Sequence, residues 1–205
     1  MTDLPSAGAQ AGTESEQAAL RSGTYLLLAT LLARTPDHQT LAQLRAIPPS
    51  GDDGDRLQQA WQSLRQAAVA VDPIAFDDEY HRLFIGLGRG ELLPYGSWYQ
   101  TGFLMEKPLS DLRQDLTMLG FTRQDHVREP EDHAALVCEV MAQLVQDPQL
   151  PFQVQQQFFD RHLSPWLSRF FDDMQQAPSA VFYRAVGRFG SAFTEFETRY
   201  LTLPV

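Results

Sequence analysis

Residues 182–200 read Phe-Tyr-Arg-Ala-Val-Gly-Arg-Phe-Gly-Ser-Ala-Phe-Thr-Glu-Phe-Glu-Thr-Arg-Tyr. Within them Phe182, Val186, Phe189, Phe193, Phe196 and Tyr200 recur at spacings of four, three, four, three and four. Residues so spaced share one face of a 3.6-residue helix, whereas a strand would alternate at every second position. The stretch predicts a long amphipathic helix with an aromatic stripe, and it sets the fold class.

Working outward, the same period returns. Leu57, Trp61, Leu64, Ala68 and Val71 make another stripe. Gln17 to Arg34 is Leu-rich and is preceded by a capping box, Thr13 and Glu16. Thr35-Pro36 can start a short helix with Leu41, Leu44 and Ile47 inward, and Asp72-Pro73 reads as an N-cap with a first-turn proline. Further helices are expected around Leu109–Leu119, closed by Gly120, over Pro130–Gln146 and Leu150–Leu163, and from Ser164-Pro165 onward. Neither an alternating strand nor a solenoid-length repeat is present in the pattern. The expectation is an all-α fold, a single globular bundle of about eight or nine helices over residues 14–205. A disordered tail, residues 1–13, is expected before it.

Composition narrows the function classes. Sixteen Lys and Arg against 26 Asp and Glu give a net charge of −10. Phosphate neutralisation drives nucleic-acid binding, so nucleic acid and anionic membrane surfaces are disfavoured and a basic partner is favoured. The longest apolar run, Leu26 to Ala33, is far short of the roughly 20 residues of a membrane span. A single cysteine, Cys138, excludes an internal disulfide and suits a reducing compartment. With no basic, apolar leader at the N-terminus, a cytoplasmic location is expected.

Three segments could carry chemistry. Gly86-Leu87-Gly88-Arg89-Gly90 lacks the preceding strand of a dinucleotide fingerprint and the Gly-Lys-Ser/Thr end of a P-loop. Its glycines, Gly86, Gly88 and Gly90, read as a hinge or lid. Pro94-Tyr95-Gly96-Ser97-Trp98-Tyr99 lacks the second glycine of a nucleophile elbow. Its aromatics suit either a binding surface or a loop tucked onto the core. In Glu129-Pro130-Glu131-Asp132-His133 the acids complement a helix N-terminus, while Asp132 and His133 can offer an acceptor and a titrating donor to a ligand. His133 and Cys138 are five apart, off the three or four that share a helix face, so no metal site is expected.

At these residues the chain resembles a known family. Glu79-Tyr80-His81-Arg82-Leu83-Phe84, running into Gly86 and Gly88, is followed by Pro94-Tyr95-Gly96-Ser97, Glu129-Pro130-Glu131-Asp132-His133 and, later, Phe158 to Phe171. Together, from about Leu20 to Tyr200, these resemble the TorD/DmsD family of redox-enzyme maturation chaperones. The resemblance implies a cytoplasmic all-α chaperone and not an enzyme. Such a protein binds the twin-arginine signal peptide of a molybdopterin oxidoreductase and holds the apo-enzyme until its cofactor is inserted. The family's peptide-binding positions fall here on Tyr80, Leu83, Phe84, Pro94, Tyr95, Ser97, Pro130, Asp132 and His133. Some members carry tryptophan where this chain has Tyr80 or Tyr95. Gly102 to Pro108 resembles members associated with formate dehydrogenases; a DMSO/TMAO reductase type client is the other expectation. Guanine nucleotide has been proposed as a family ligand, but no nucleotide motif is present.

The residues read by themselves agree. Two guanidinium groups followed by an apolar stretch need carboxylates and a hydrophobic groove. Glu129, Glu131 and Asp132 are candidate acceptors; Tyr80, Leu83, Phe84, Tyr95 and Trp98 are candidate groove residues. Two other readings stay open: a hydrolase or nucleotide-dependent enzyme using Ser97, Asp132 and His133, and a purely structural helical subunit. No cofactor is expected, and the chain could be a monomer or a dimer that swaps helices through 86–102 or 121–128.

Overall fold

The computed structural model describes residues 7–48, 55–124 and 127–203. Among them run α1 (Ala7–Ala33), α2 (His38–Ala46), α3 (Arg56–Ala70), α4 (Pro73–Tyr80), α5 (Gly96–Thr101), α6 (Lys107–Met118), α7 (Ala134–Gln146), α8 (Phe152–His162), α9 (Leu167–Gln176) and α10 (Phe182–Leu201). A π-helical turn, His81–Ile85, extends α4. The described residues contain no strand beyond an isolated antiparallel bridge between Tyr95 and His133. The all-α expectation holds, and the additional helix is α5, inside the segment read as a loop.

Several helix ends differ from their sequence signals. α1 begins at Ala7, well before Gln17; Ala7, Ala9, Gln10 and Ala11 are good helix formers and carry it upstream. Residues 1–6 of the expected tail lie outside the described residues, as do residues 49–54. α2 is capped by Asp37, whose Oδ1 accepts from Thr40 N–H at 2.8 Å; Thr35 donates instead to Asp77. α9 starts at Leu167, with Trp166 and not Ser164 at its cap. Asp72 before α4 and Gly120 after α6 cap as expected.

α10 organises the core. It packs on α9 and α3, while α1 lies along α7. Phe182, Val186, Phe189 and Phe193 are buried, but the stripe then continues through Glu197 and Leu201, with Phe196 and Tyr200 half-buried at its side. A buried carboxylate in an aromatic stripe demands partners, and α1 provides them. Arg21 Nε and Nη2 donate to the two oxygens of Glu197 at 2.7 and 2.8 Å, Tyr25 Oη donates at 2.9 Å, and Arg21 Nη1 reaches Gln155 Oε1 at 3.1 Å. Neither Arg21 nor Glu197 carries a local signal; they are 176 positions apart. Cys138 is buried on α7, where burial pushes its thiol up to about 12.

Candidate functional site

The site begins where α4 meets α10. The carboxylate of Glu79 accepts from the N–H groups of Val181, Phe182 and Tyr183 at 2.7, 3.0 and 2.8 Å, so it caps α10 and pins the end of α4. Tyr80 is buried, donates to Leu32 O and packs its ring at a tilt against Phe84 and Tyr183. Leu83 is wholly in the core, and Phe84 is half-buried.

The π-turn widens the chain just there. Gly86 N–H donates to His81 O, and the chain folds back so that Glu91 and Leu92 N–H donate to Arg82 and Leu83 O. This return is why glycine stands at two of the three expected hinge positions. A Cβ on Gly86 (φ 62°) would lie 2.0 Å from Arg89 O, and one on Gly90 2.5 Å from Leu83 O.

The returning chain brings Tyr95 beside His133. Gly96 N–H donates to Asp132 O at 2.9 Å and Ala134 N–H to Pro94 O at 2.8 Å, and the two rings meet edge-on with centroids 5.2 Å apart. Asp132 Oδ2 accepts from Ser97 N–H at 2.7 Å. Asp132 therefore caps α5 across 35 positions of sequence rather than starting its own helix. That corrects the helix expected from Pro130: α7 starts at Ala134, and His133 is its cap, with Nδ1 accepting from Ala135 N–H at 3.1 Å. Pro130 and the acids thus lie in a turn ahead of the helix, closed by His133 N–H on Pro130 O.

The three acids have different neighbours. Glu131 faces Arg113 and Arg123 across a cleft of about 580 Å³ lined also by Leu116, Phe121 and Val140. Burial alone would raise its pKa, but the hydrogen bond and charge of Arg113, with Arg123, bring it below the usual value. Asp132 is buried, and its Oδ1 has no hydrogen-bond partner. Glu129 is exposed and accepts from the Tyr95 hydroxyl. Burial raises the Tyr95 phenol, and the bond and charge of Glu129 raise it further; burial and then Glu129 push Tyr80 up to about 12. Burial lowers His133 to about 4, against the opposing charges of Glu129 and Asp132, so the imidazole is neutral at pH 7.

Two expected members turn away. Trp98 is half-buried beneath Arg89, whose guanidinium carbon is 4.7 Å from the ring, in a separate cleft with Glu91 and Asp173. Ser97 is fully buried; its Oγ accepts from Met105 N–H at 3.2 Å and is not hydrogen-bonded to His133. The nucleophile–base contact that a hydrolase would require is thus not among the bonds of the described residues. Those residues also contain no cluster of three or more His, Cys, Asp or Glu able to hold a metal. His162 meets Asp115 at 2.6 Å from 47 positions away, with Arg161 on the same carboxylate. Glu79 was legible only as part of a motif; its role as a cap depends on a helix a hundred residues later.

Residues 51–172 match the family described as Nitrate reductase delta subunit. The chaperone protein TorD of Vibrio cholerae serotype O1 (strain ATCC 39541 / Classical Ogawa 395 / O395) is 31% identical over 176 residues, which span 81% of this chain and 75% of that one. The chain belongs to the TorD family. TorD of Vibrio atlanticus (strain LGP32) is 25% identical over 202 residues, covering 88% of this chain and 94% of its own. The TorD relatives are named as chaperones, and this TorD-family chain is a chaperone, not an enzyme. A crystal structure assigned as a redox enzyme maturation protein from Archaeoglobus fulgidus shares the fold, with a TM-score of 0.54 and 21% identity over 87% of this chain and 94% of that one. No helix among the described residues is long and apolar enough to cross a membrane.

Proposed function

We propose that this TorD-family chaperone binds, in the cytoplasm, the twin-arginine signal peptide of a molybdopterin oxidoreductase of the formate dehydrogenase or DMSO/TMAO reductase type. It holds the apo-enzyme until the cofactor is inserted and export can follow. The observation that carries the reading is a convergence. Backbone bonds of Gly96 to Asp132 and of Ala134 to Pro94 join Tyr95 to the Glu129–His133 turn, those of Glu91 and Leu92 to Arg82 and Leu83 tie the end of α4 to the same returning chain, and the charge of Glu129 reaches both Tyr80 and Tyr95.

The acids divide the work. Glu129 is the acceptor open to solvent, and its present partner is a neutral phenol that a guanidinium can replace with a charge-assisted pair. Glu131 is already neutralised by Arg113 and Arg123 and shapes the turn. Asp132 positions α5 and carries the unpartnered oxygen behind it.

Calorimetric titration tests this. A twin-arginine peptide should bind roughly tenfold or more tighter than the same peptide with both arginines changed to alanine. Glu129→Gln should narrow that ratio. Equal affinity for the two peptides would overturn the reading.

A further inference from the structure

Directly after α5, three consecutive apolar side chains stand out of the surface: Phe103 is 67% exposed, Leu104 43% and Met105 72%. Single exposed apolar residues are ordinary; a contiguous group marks a contact. This group sits on a braced turn. Among the described residues Met105 alone combines a side chain with a positive φ, 60°, a backbone that L residues avoid. Its N–H donates to Ser97 Oγ at 3.2 Å, Phe103 N–H donates to Thr101 Oγ1 at 3.2 Å, and the Thr101 hydroxyl donates to Ser97 O at 2.8 Å. A strained residue held by its surroundings at the surface points to a shape kept for binding.

Position and charge identify the occupant. Ser97 N–H donates to Asp132 Oδ2 at 2.7 Å, so a single residue, Ser97, links the backbone of Met105 to the Glu129–His133 turn. Beside the apolar tip, the Lys107 ammonium is taken by Asp111 at 2.6 and 2.8 Å, while the carboxylate of exposed Glu106 has no hydrogen bond or ion pair among the described residues. The patch is therefore apolar with an uncompensated acid at its edge, complementary to a ligand that is basic and then apolar. Of the five expected groove residues, Tyr80 and Leu83 belong to the core and Trp98 lies under Arg89, which leaves half-buried Phe84 and Tyr95 with little apolar surface to offer.

We infer that Phe103-Leu104-Met105 is the platform for the apolar stretch that follows the two arginines of the signal peptide, an inference that rests on the function proposed above. The test uses the full chain and a Phe103→Ser/Met105→Gly double variant; glycine accepts the positive φ, so the turn is kept. Val69→Ser, which removes an isolated exposed apolar residue on α3, is the control. Each protein is titrated with the full twin-arginine peptide, with the arginines changed to alanine, and with the apolar stretch replaced by Ser/Gly of equal length. The double variant should bind the full peptide about fivefold or more weakly, bind the Ser/Gly peptide as wild type does, and keep its dependence on the arginines, with unchanged thermal melting; Val69→Ser should match wild type throughout. Unchanged affinity of the double variant for the full peptide, with the arginine dependence intact, overturns the platform and leaves the signal-peptide reading standing. An equal loss for the full and the Ser/Gly peptides also overturns it, because the change then acts through Ser97 and α5. Failure of the full peptide to bind wild type overturns both.

Discussion

Glu197 and Asp132 are both buried carboxylates, 0% and 3% exposed, yet they are furnished in opposite ways. Glu197 has a bidentate arginine and a tyrosine hydroxyl, with both oxygens satisfied. Asp132 has one backbone N–H on Oδ2 and nothing on Oδ1. The first is a closed network that joins α1 to α10. The second is a half-satisfied group on the turn that meets α5, beside the exposed acid and the apolar tip. Buried charge that is fully paired costs most when one partner is removed, whereas a group supported by one neutral donor depends less on its charge. The difference separates a part of the molecule built for stability from the one proposed to receive the peptide.

The largest expected effect breaks the closed network. Arg21→Met leaves Glu197 charged and unpaired in the core and should cost about 3–5 kcal/mol in urea denaturation. Adding Glu197→Leu should restore much of it. A loss under about 1 kcal/mol for the single variant would show that Glu197 is not the buried ion described.

Next comes pH at the open region. His133 is held at about 4 in the folded chain against about 6.5 unfolded, with burial as the main cause. Its neutral form therefore contributes stability above pH 6.5, and that contribution is lost as pH falls from 6.5 toward 4. Between pH 7.5 and 5 the loss should be about 2 kcal/mol, and His133→Asn should remove that part of the slope. His162, also lowered chiefly by burial, stays in both proteins and cancels in the difference. Parallel slopes for wild type and variant would contradict the burial of His133.

The smallest effect sharpens the comparison itself. Asp132→Asn keeps an acceptor for Ser97 N–H and should change stability by less than about 1 kcal/mol, while Glu197→Gln, which strands Arg21, should cost clearly more. Similar losses for the two would erase the distinction. Asp132→Ala should also weaken peptide binding by more than about 0.5 kcal/mol, beyond ordinary surface scatter.

Much of the fold was legible because helix stripes are local. The stripe over Phe182–Phe193, the Asp72-Pro73 start and the Gly120 stop each depend on residues within one or two turns. The site was legible only as a set of names. Leu83, Ser97 and Trp98 stand in the motifs, but the structure places two of them in the interior and the third under Arg89. Asp132, a good local cap for α7, is drawn to α5, and His133 takes the cap in its place. The exposed tip at Phe103–Met105 had no periodic signal, since it lies between helices.

By itself the sequence determined the helical class, the order of the helices, most of the core faces and the family motifs, because period, capping and composition act over a few residues at a time. Only the tertiary structure decided which acids are spent and which are open: Glu197 on Arg21, Glu79 on the start of α10, Glu131 on two arginines, Asp132 on α5, and Glu129 at the surface. A carboxylate's role is set by the donors that surround it and by its access to water. For these acids the donors come from other segments, as far as 176 positions along the chain.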